Sequence, residues 1–195
     1  MTFEHTPGQT PIAAAELEGL IPAISIQAEL NEWEETNIIE GRQWAFESRA
    51  SLRLDPLTSG YLKKLHQHMF NHTWKWAGKF RLTEKNIGVA FHKIPLELQN
   101  LLDDTRYWIE HNTFSKDEIA VRFHYRLVNI HLFENGNGRH ARLVADVLAT
   151  RAGRPPFSWG NTDLAGAGPA RKRYLAALAA ADLGDYEPLI AFART

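Results

Sequence analysis

Three features of the sequence predict an all-α fold. Apolar residues recur at helical spacing in several separate runs, start and stop signals bracket the strongest of them, and one stretch alone abandons the period. The clearest run opens at Ser115, which with Glu118 forms an S-x-x-E capping box ahead of Ile119, Phe123, Leu127 and Ile130. A second run carries Leu143, Val144, Val147 and Leu148 and is stopped by Gly153, with Pro155 and Pro156 beyond it. The exception is residues 74–81, which leave the helical period and lead into Ile87, Val89 and Phe91 in strand-like alternation.

The remaining elements follow in order. Thr10 before Pro11 predicts a short helix start, with Pro at the first helical position, and Pro22 separates it from the next element. Residues 25–41 read as an acidic helix with Ile26, Leu30, Trp33 and Asn37 on one face and Gly41 as its C-cap. Its glutamates are expected on a solvated face. Residues 43–54 predict another helix, packed through Trp44 and Phe46. Asp55-Pro56 reads as an N-cap and first helical position for a stripe of Leu57, Tyr61, Leu62, Leu65 and Met69. Pro95 opens a long helix carrying Leu98, Leu101, Leu102, Trp108 and Ile109. Residues 157–168 are loop-rich, Pro169 and Ala170 start a helix with Tyr174, Leu175, Leu178 and Ala181, and residues 185–193 close the chain. Of His66, His68 and His72, only His68 and His72 are spaced four apart, and with no third ligand or H-E-x-x-H pattern surface or half-buried positions are expected rather than a metal site.

Composition narrows the function. The 195 residues, 44% of them hydrophobic, suit a globular chain with a real core. A net charge of −1 and a pI near 6.8 give no bulk-charge argument for nucleic acid. The absence of cysteine leaves no disulfide or thiolate metal site and suits a reducing cytoplasm. No apolar run reaches the ~18–20 residues of a membrane span, and Met1–His5 has neither the basic nor the apolar region of a signal peptide. A cytoplasmic protein without membrane or nucleic-acid partners is therefore expected.

The chemistry concentrates between the two strongest helices. Arg139 and Arg142 lie in the first turn of the second one, on one face, where the positive helix end disfavours cations by roughly 0.3–1 kcal/mol each. Two cations, the amides of Gly136 to Gly138 and a helix N-terminus make sense together if an anion, phosphate above all, rests there. No Gly-Lys-Ser/Thr closes the loop and no dinucleotide fingerprint is present.

His131-Leu132-Phe133-Glu134-Asn135-Gly136-Asn137-Gly138-Arg139-His140-Ala141-Arg142 resembles the H-x-F-x-[D/E]-G-N-G-R-x-x-R motif of Fic proteins. The resemblance extends from about Glu29 to the end of the chain. It implies a Fic-fold helical domain with a small β-hairpin flap next to the active-site loop, and transfer of AMP from ATP to a protein hydroxyl. On this reading residues 55–195 are the Fic core and residues 1–54 an N-terminal helical segment. The resemblance makes His131 the catalytic base, with Phe133, Gly136, Asn137, Gly138, Arg139 and Arg142 binding nucleotide and phosphate. Asn135 falls where the family usually places the Asp or Glu that holds magnesium (or manganese), and a neutral amide is the weaker ligand for a hard cation.

Two further stretches carry the resemblance. Thr36-Asn37-Ile38-Ile39-Glu40-Gly41 is similar to the [S/T]-x-x-x-E-[G/N] inhibitory motif, which implies that Thr36, Glu40 and Gly41 belong to an inhibitory helix over about residues 25–41 and that Glu40 pairs with Arg142. The run Trp76-Ala77-Gly78-Lys79-Phe80-Arg81 is similar to the W-A-G-x-[FY]-R that precedes the flap, so Thr83, Ile87, Gly88, Val89 and Ala90 are expected to dock a target protein by strand addition. Neutral His131 would take the proton of a Ser, Thr or Tyr hydroxyl as its oxygen attacks the α-phosphorus and pyrophosphate leaves. Removal of AMP by water oriented on Glu40, and a weakly active regulatory or toxin–antitoxin-like nucleotide-binding role, use the same residues. Aromatic residues near the N-terminus leave room for a homodimer.

Overall fold

The computed structural model describes residues 17–24, 26–161, 164 and 168–195. Among these residues it is all-helical. The helices are α1 (Gln27–Glu47), α2 (Arg49–Leu52), α3 (Ser59–Phe70), α4 (Ile94–His111), α5 (Lys116–Ile130), α6 (Asn137–Arg151), α7 (Pro169–Asp182) and α8 (Glu187–Arg194). The helix start expected at Thr10-Pro11 lies outside the described residues. None of these helices is long and apolar enough to cross a membrane.

The antiparallel pair α5 and α6 forms the centre, with α4 against α5, α3 and α1 on the other side of the motif, and α7 and α8 closing the far end. Phe123, Phe133, Ala141, Val144 and Ala145 are fully buried along the central pair, and Leu62, Leu65, Met69 and Phe70 along α3. Local signals set most boundaries. The Ser115 hydroxyl accepts from Glu118 N at 3.2 Å and starts α5, although Glu118 turns its own carboxylate to Arg122 at 2.8 Å instead of completing a capping box. Proline occupies the first turn of α4, α7 and α8.

Three boundaries differ from expectation. Thr58, not Asp55, caps α3, accepting from Tyr61 N at 3.1 Å, while Asp55 spends its carboxylate on a turn, accepting from Leu57 N at 2.8 Å. The helix expected over residues 43–54 is the end of α1 followed by the short α2, joined at Ser48. Gly41 does not cap its helix: α1 runs through it to Glu47. Its role is contact, because a Cβ there would lie 2.6 Å from Met69 Cγ and 2.9 Å from Met69 Cα on α3. Gly41→Val is expected to cost about 1–3 kcal/mol through overpacking, lowering the melting temperature by roughly 2–4 °C per kcal/mol. A thermal melt with no loss would show that α1 does not need this close approach.

The candidate active site

The site begins where α5 stops. His131 is the C-cap, in the left-handed conformation at φ 58° and ψ 67°, with its N–H donating to Leu127 O at 3.2 Å. A non-glycine residue holds that conformation only when its surroundings compensate. Here the compensation comes from residues 81–90. The backbone N–H of Arg81 donates to Leu132 O at 2.9 Å, and its guanidinium donates to His131 O at 2.6 Å. Gly88, at φ +99°, lies so close that a Cβ would stand 2.5 Å from His131 Cβ. His131 is 4% exposed beneath this segment. Burial, with the charges of Arg81 and Lys85, lowers its pKa to about 4, so the imidazole is neutral at pH 7.

The loop that follows is held from within and below. Asn137 Oδ1 accepts from Phe133 N at 2.9 Å and Asn137 Nδ2 donates to Phe133 O at 2.8 Å, closing residues 133–137 into a tight turn. Both side-chain groups expected to meet phosphate are thereby engaged, so Asn137 shapes the loop. Phe133 is fully buried and stacks on His66 at 3.7 Å, forming the floor of the loop rather than a nucleotide contact. Gly136, at φ +77°, sits over Phe70, where a Cβ would come within 2.5 Å of the ring. Its N–H donates to Asn135 Oδ1 at 2.6 Å. His140 N donating to Gly136 O at 2.9 Å is the first helical bond of α6, leaving the amides of Asn137, Gly138 and Arg139 without an intrahelical acceptor. These are the amides that the sequence reading offers to an anion, narrowed to the first turn of α6. Gly138 keeps it open: a Cβ at this position would meet no atom nearer than Arg142 Nη1 at 3.8 Å.

His66 is a residue that reading the sequence misplaced. It is fully buried, not at the surface. Its Nδ1 accepts from Gly78 N at 3.0 Å, so the proton sits on Nε2 and is donated to Asn135 O at 3.1 Å. Burial holds its pKa well below the usual value. His68 stacks on Trp44 at 4.4 Å, and no group of three or more His, Asp or Glu among the described residues is arranged to hold a metal.

A carboxylate from α1 does reach the cradle, but it is Glu34. Glu34 Oε2 accepts from Arg139 Nη1 at 2.6 Å, while Trp74 Nε1 donates to Glu34 Oε1 at 2.8 Å. With a side chain 8% exposed and both oxygens engaged, Glu34 is pinned against the helix mouth. The Glu40–Arg142 pair implied by the inhibitory motif is not formed. Glu40 Oε2 lies 3.1 Å from His72 Nδ1 on the surface, and Arg142 lies over the Tyr174 ring at 5.6 Å. The reason is helical phase. Leu30, Glu34, Asn37, Gly41 and Ala45 are the buried positions of α1, and Glu40 is turned about 100° from Gly41. Thr36 faces solvent and donates back to Glu32 O at 3.0 Å. Asn37 supports the inward face: its Oδ1 accepts from His72 N at 2.9 Å, and its Nδ2 donates to Asn71 Oδ1 at 3.2 Å, fastening α1 to the end of α3.

The flap has no strand among the described residues. The backbone groups that a hairpin would pair with each other bond to the His131 turn instead, Val89 N to Ile130 O at 3.4 Å and Arg81 N to Leu132 O at 2.9 Å. The guanidinium of Arg81 takes the carbonyls of Thr83 and Val89. Thr83 Oγ1 donates to Glu134 at 3.2 Å, and Lys85 pairs with Glu134 at 2.6 Å. Ile87 is 42% exposed and Ala90 is half-buried at the segment's end.

These residues do not fit a protein-held magnesium ion. Asn135 offers an amide whose oxygen already accepts from Gly136 N, and the adjacent carboxylate, Glu134, is engaged by Lys85 and Thr83.

A histidine turn, a glycine-bounded loop and a cationic helix mouth thus meet in one place, and residues 56–149 match the Fic/DOC family. The chain carries a Fic domain. Protein adenylyltransferase Fic of Drosophila grimshawi is 31% identical over 133 residues, which is 66% of this chain and 26% of that protein. The protein of the same name from Nematostella vectensis is 30% identical over 146 residues, 71% of this chain and 32% of that one. This chain therefore spans only about a quarter to a third of the length of those relatives. A structure of Fic-1 from C. elegans superposes with a TM-score of 0.63 at 25% identity, over 92% of this chain and 52% of that one. The BepC protein from Bartonella tribocorum, solved with bound AMPPNP, shares the fold with a TM-score of 0.66 at 18% identity, over 93% of this chain and 97% of that one.

The Fic domain buries several neutral histidines, with a consequence for stability. Burial first, then Arg142, brings His124 to about 3, and burial brings His140 to about 4. Unfolded, these rings and His131 titrate near 6.5 and take up protons that the folded chain refuses. Their stabilisation is complete above about pH 6.5 and is lost progressively as the pH falls toward about 4. Thermal melts between pH 7 and pH 4.5 are expected to show a falling midpoint. A flat profile would mean that the histidines are not buried as described.

Proposed function

We propose that this Fic domain transfers AMP from ATP to a Ser, Thr or Tyr hydroxyl of a protein. The observation that carries the reading is the juxtaposition of neutral His131 with a cradle of amides and two arginines at the start of α6. The protein adenylyltransferases among its relatives support it. His131 accepts the hydroxyl proton, the oxygen attacks the α-phosphorus, the bond to the β-phosphate bridge breaks, and pyrophosphate leaves. Gly138 and the first-turn amides receive phosphate oxygens, Arg139 offsets charge on the leaving diphosphate, and Arg142 holds the terminal phosphate. Transfers of this kind depend on positioning and charge stabilisation more than on covalent chemistry. No step of this transfer is assigned to a protein-held metal, because Asn135 Oδ1 and the Glu134 carboxylate are already engaged.

The same reading makes α1 a restraint. While Glu34 holds Arg139, the cation that should meet the diphosphate is occupied, and residues 81–90 cover His131. Target docking then falls to the exposed part of that segment, around Ile87. The test is incubation of the full chain, its Glu34→Gln variant and its His131→Ala variant with α-labelled ATP, magnesium and protein acceptors from a lysate. Label in acceptors that is strongest with Glu34→Gln and absent with His131→Ala is the expected result. ATP binding without label in any chain would overturn the transferase reading in favour of a binding role.

A further inference from the structure

Arg81 is 1% exposed, and its guanidinium donors go to backbone carbonyls, with the carboxylates of Glu84 and Glu134 adding counter-charge from nearby. Nε donates to His131 O at 2.6 Å, Nη1 to Thr83 O at 2.8 Å, and Nη2 to Val89 O and, at 3.5 Å, to Ile130 O. Its backbone N–H adds Leu132 O at 2.9 Å. One residue therefore bonds the carbonyls of Ile130, His131 and Leu132, the whole turn around the base, and grips both ends of residues 83–89. A buried cation is costly unless its donors are satisfied, and here the acceptors include the last carbonyls of α5, the negative end of that helix. Only a guanidinium fork sends diverging donors toward two segments at once, a geometry that an ammonium on a single atom does not reproduce.

We propose that Arg81 is a positioning residue for the transfer, fixing the left-handed turn of His131 and tying it to residues 83–89 so that base and docking segment are set as one unit. This rests on the adenylyl-transfer reading of the site, but its first consequence concerns His131 itself. The charges bearing on the His131 ring are those of Arg81 and Lys85, with Lys85 paired to Glu134 and Glu84 near Arg81. Removing the Arg81 charge should let His131 titrate at higher pH, whereas lysine keeps the charge and loses the fork.

The experiment compares the unsubstituted chain with Arg81→Lys and Arg81→Gln. The His131 ring is followed by NMR through a pH titration, ATP binding by calorimetry, and AMP transfer as kcat and KM for ATP. In Arg81→Gln the His131 titration is expected to move to higher pH, and in Arg81→Lys to stay near the parent's. Both variants should lose kcat, on the order of 100-fold for a base displaced by about 1 Å, with ATP binding and KM within about threefold. The proposal is overturned if the His131 titration is the same in Arg81→Gln as in the parent, if either variant keeps its kcat, or if kcat and ATP binding fall together. Should the parent transfer no AMP while Arg81→Gln still shifts the His131 titration, the hold on His131 stands and it is the transferase reading that fails.

Discussion

His131→Ala is expected to lower AMP transfer by about 10²–10⁴-fold, the usual worth of a positioned general base. ATP binding should survive, because the cradle is built by Gly138, Arg139 and Arg142 on α6 and the imidazole is placed from α5. The pH profile of transfer by the unsubstituted chain bears on the same group. With a pKa of about 4, His131 stays neutral well below the usual histidine range, so the acid limb of kcat/KM should lie near pH 4 rather than near 6.5. Rate measurements on both chains over a common pH range check the two statements together. An acid limb near 6.5 would mean that the ring is solvated during transfer.

Glu34→Gln is expected to raise transfer by about 10–100-fold. A hydrogen bond between charged partners contributes about 1.5–3 kcal/mol, and each 1.4 kcal/mol is tenfold. The Arg139–Glu34 contact of 2.6 Å, on a carboxylate also held by Trp74, belongs to that class. Glutamine keeps an acceptor for Trp74 and a similar shape, so the fold should be retained while the competing charge is gone. Glu40→Gly is expected to change transfer less, since Glu40 meets His72 at the surface rather than an arginine of the cradle. Initial rates of labelling for the three chains decide it, and a larger gain for Glu40→Gly than for Glu34→Gln would restore the motif-based assignment.

The helix boundaries around the motif were legible because their signals are local. A capping serine and two arginines in a first turn are each written within a single helical turn, and α5 and α6 lie where those signals put them. Glu34 was harder to see for a reason of one residue in helical phase. Leu30 can be followed by Trp33 or Glu34 on an inward stripe, and hydrophobicity favours Trp33, yet Trp33 is 47% exposed and Glu34 is buried because Arg139 and Trp74 wait for its charge. The spacing of Leu30, Glu34, Asn37 and Gly41 is the signal that could have shown it.

Long-range polar bonds account for the other differences. Alternation at Ile87 and Val89 predicts a strand, but Arg81 and the His131 turn take the backbone groups that a hairpin needs. Nothing local marks His66 as the pin beneath Asn135, since its two partners are 12 and 69 residues away in the chain.

Calorimetric titration of ATP into the wild-type chain, Glu34→Gln, and Glu34→Gln combined with Arg139→Ala tests the restraint most directly. Competition between Glu34 and nucleotide for Arg139 predicts tenfold or tighter ATP binding by Glu34→Gln, with the gain lost when Arg139 is also removed. Equal dissociation constants for wild type and Glu34→Gln would contradict it.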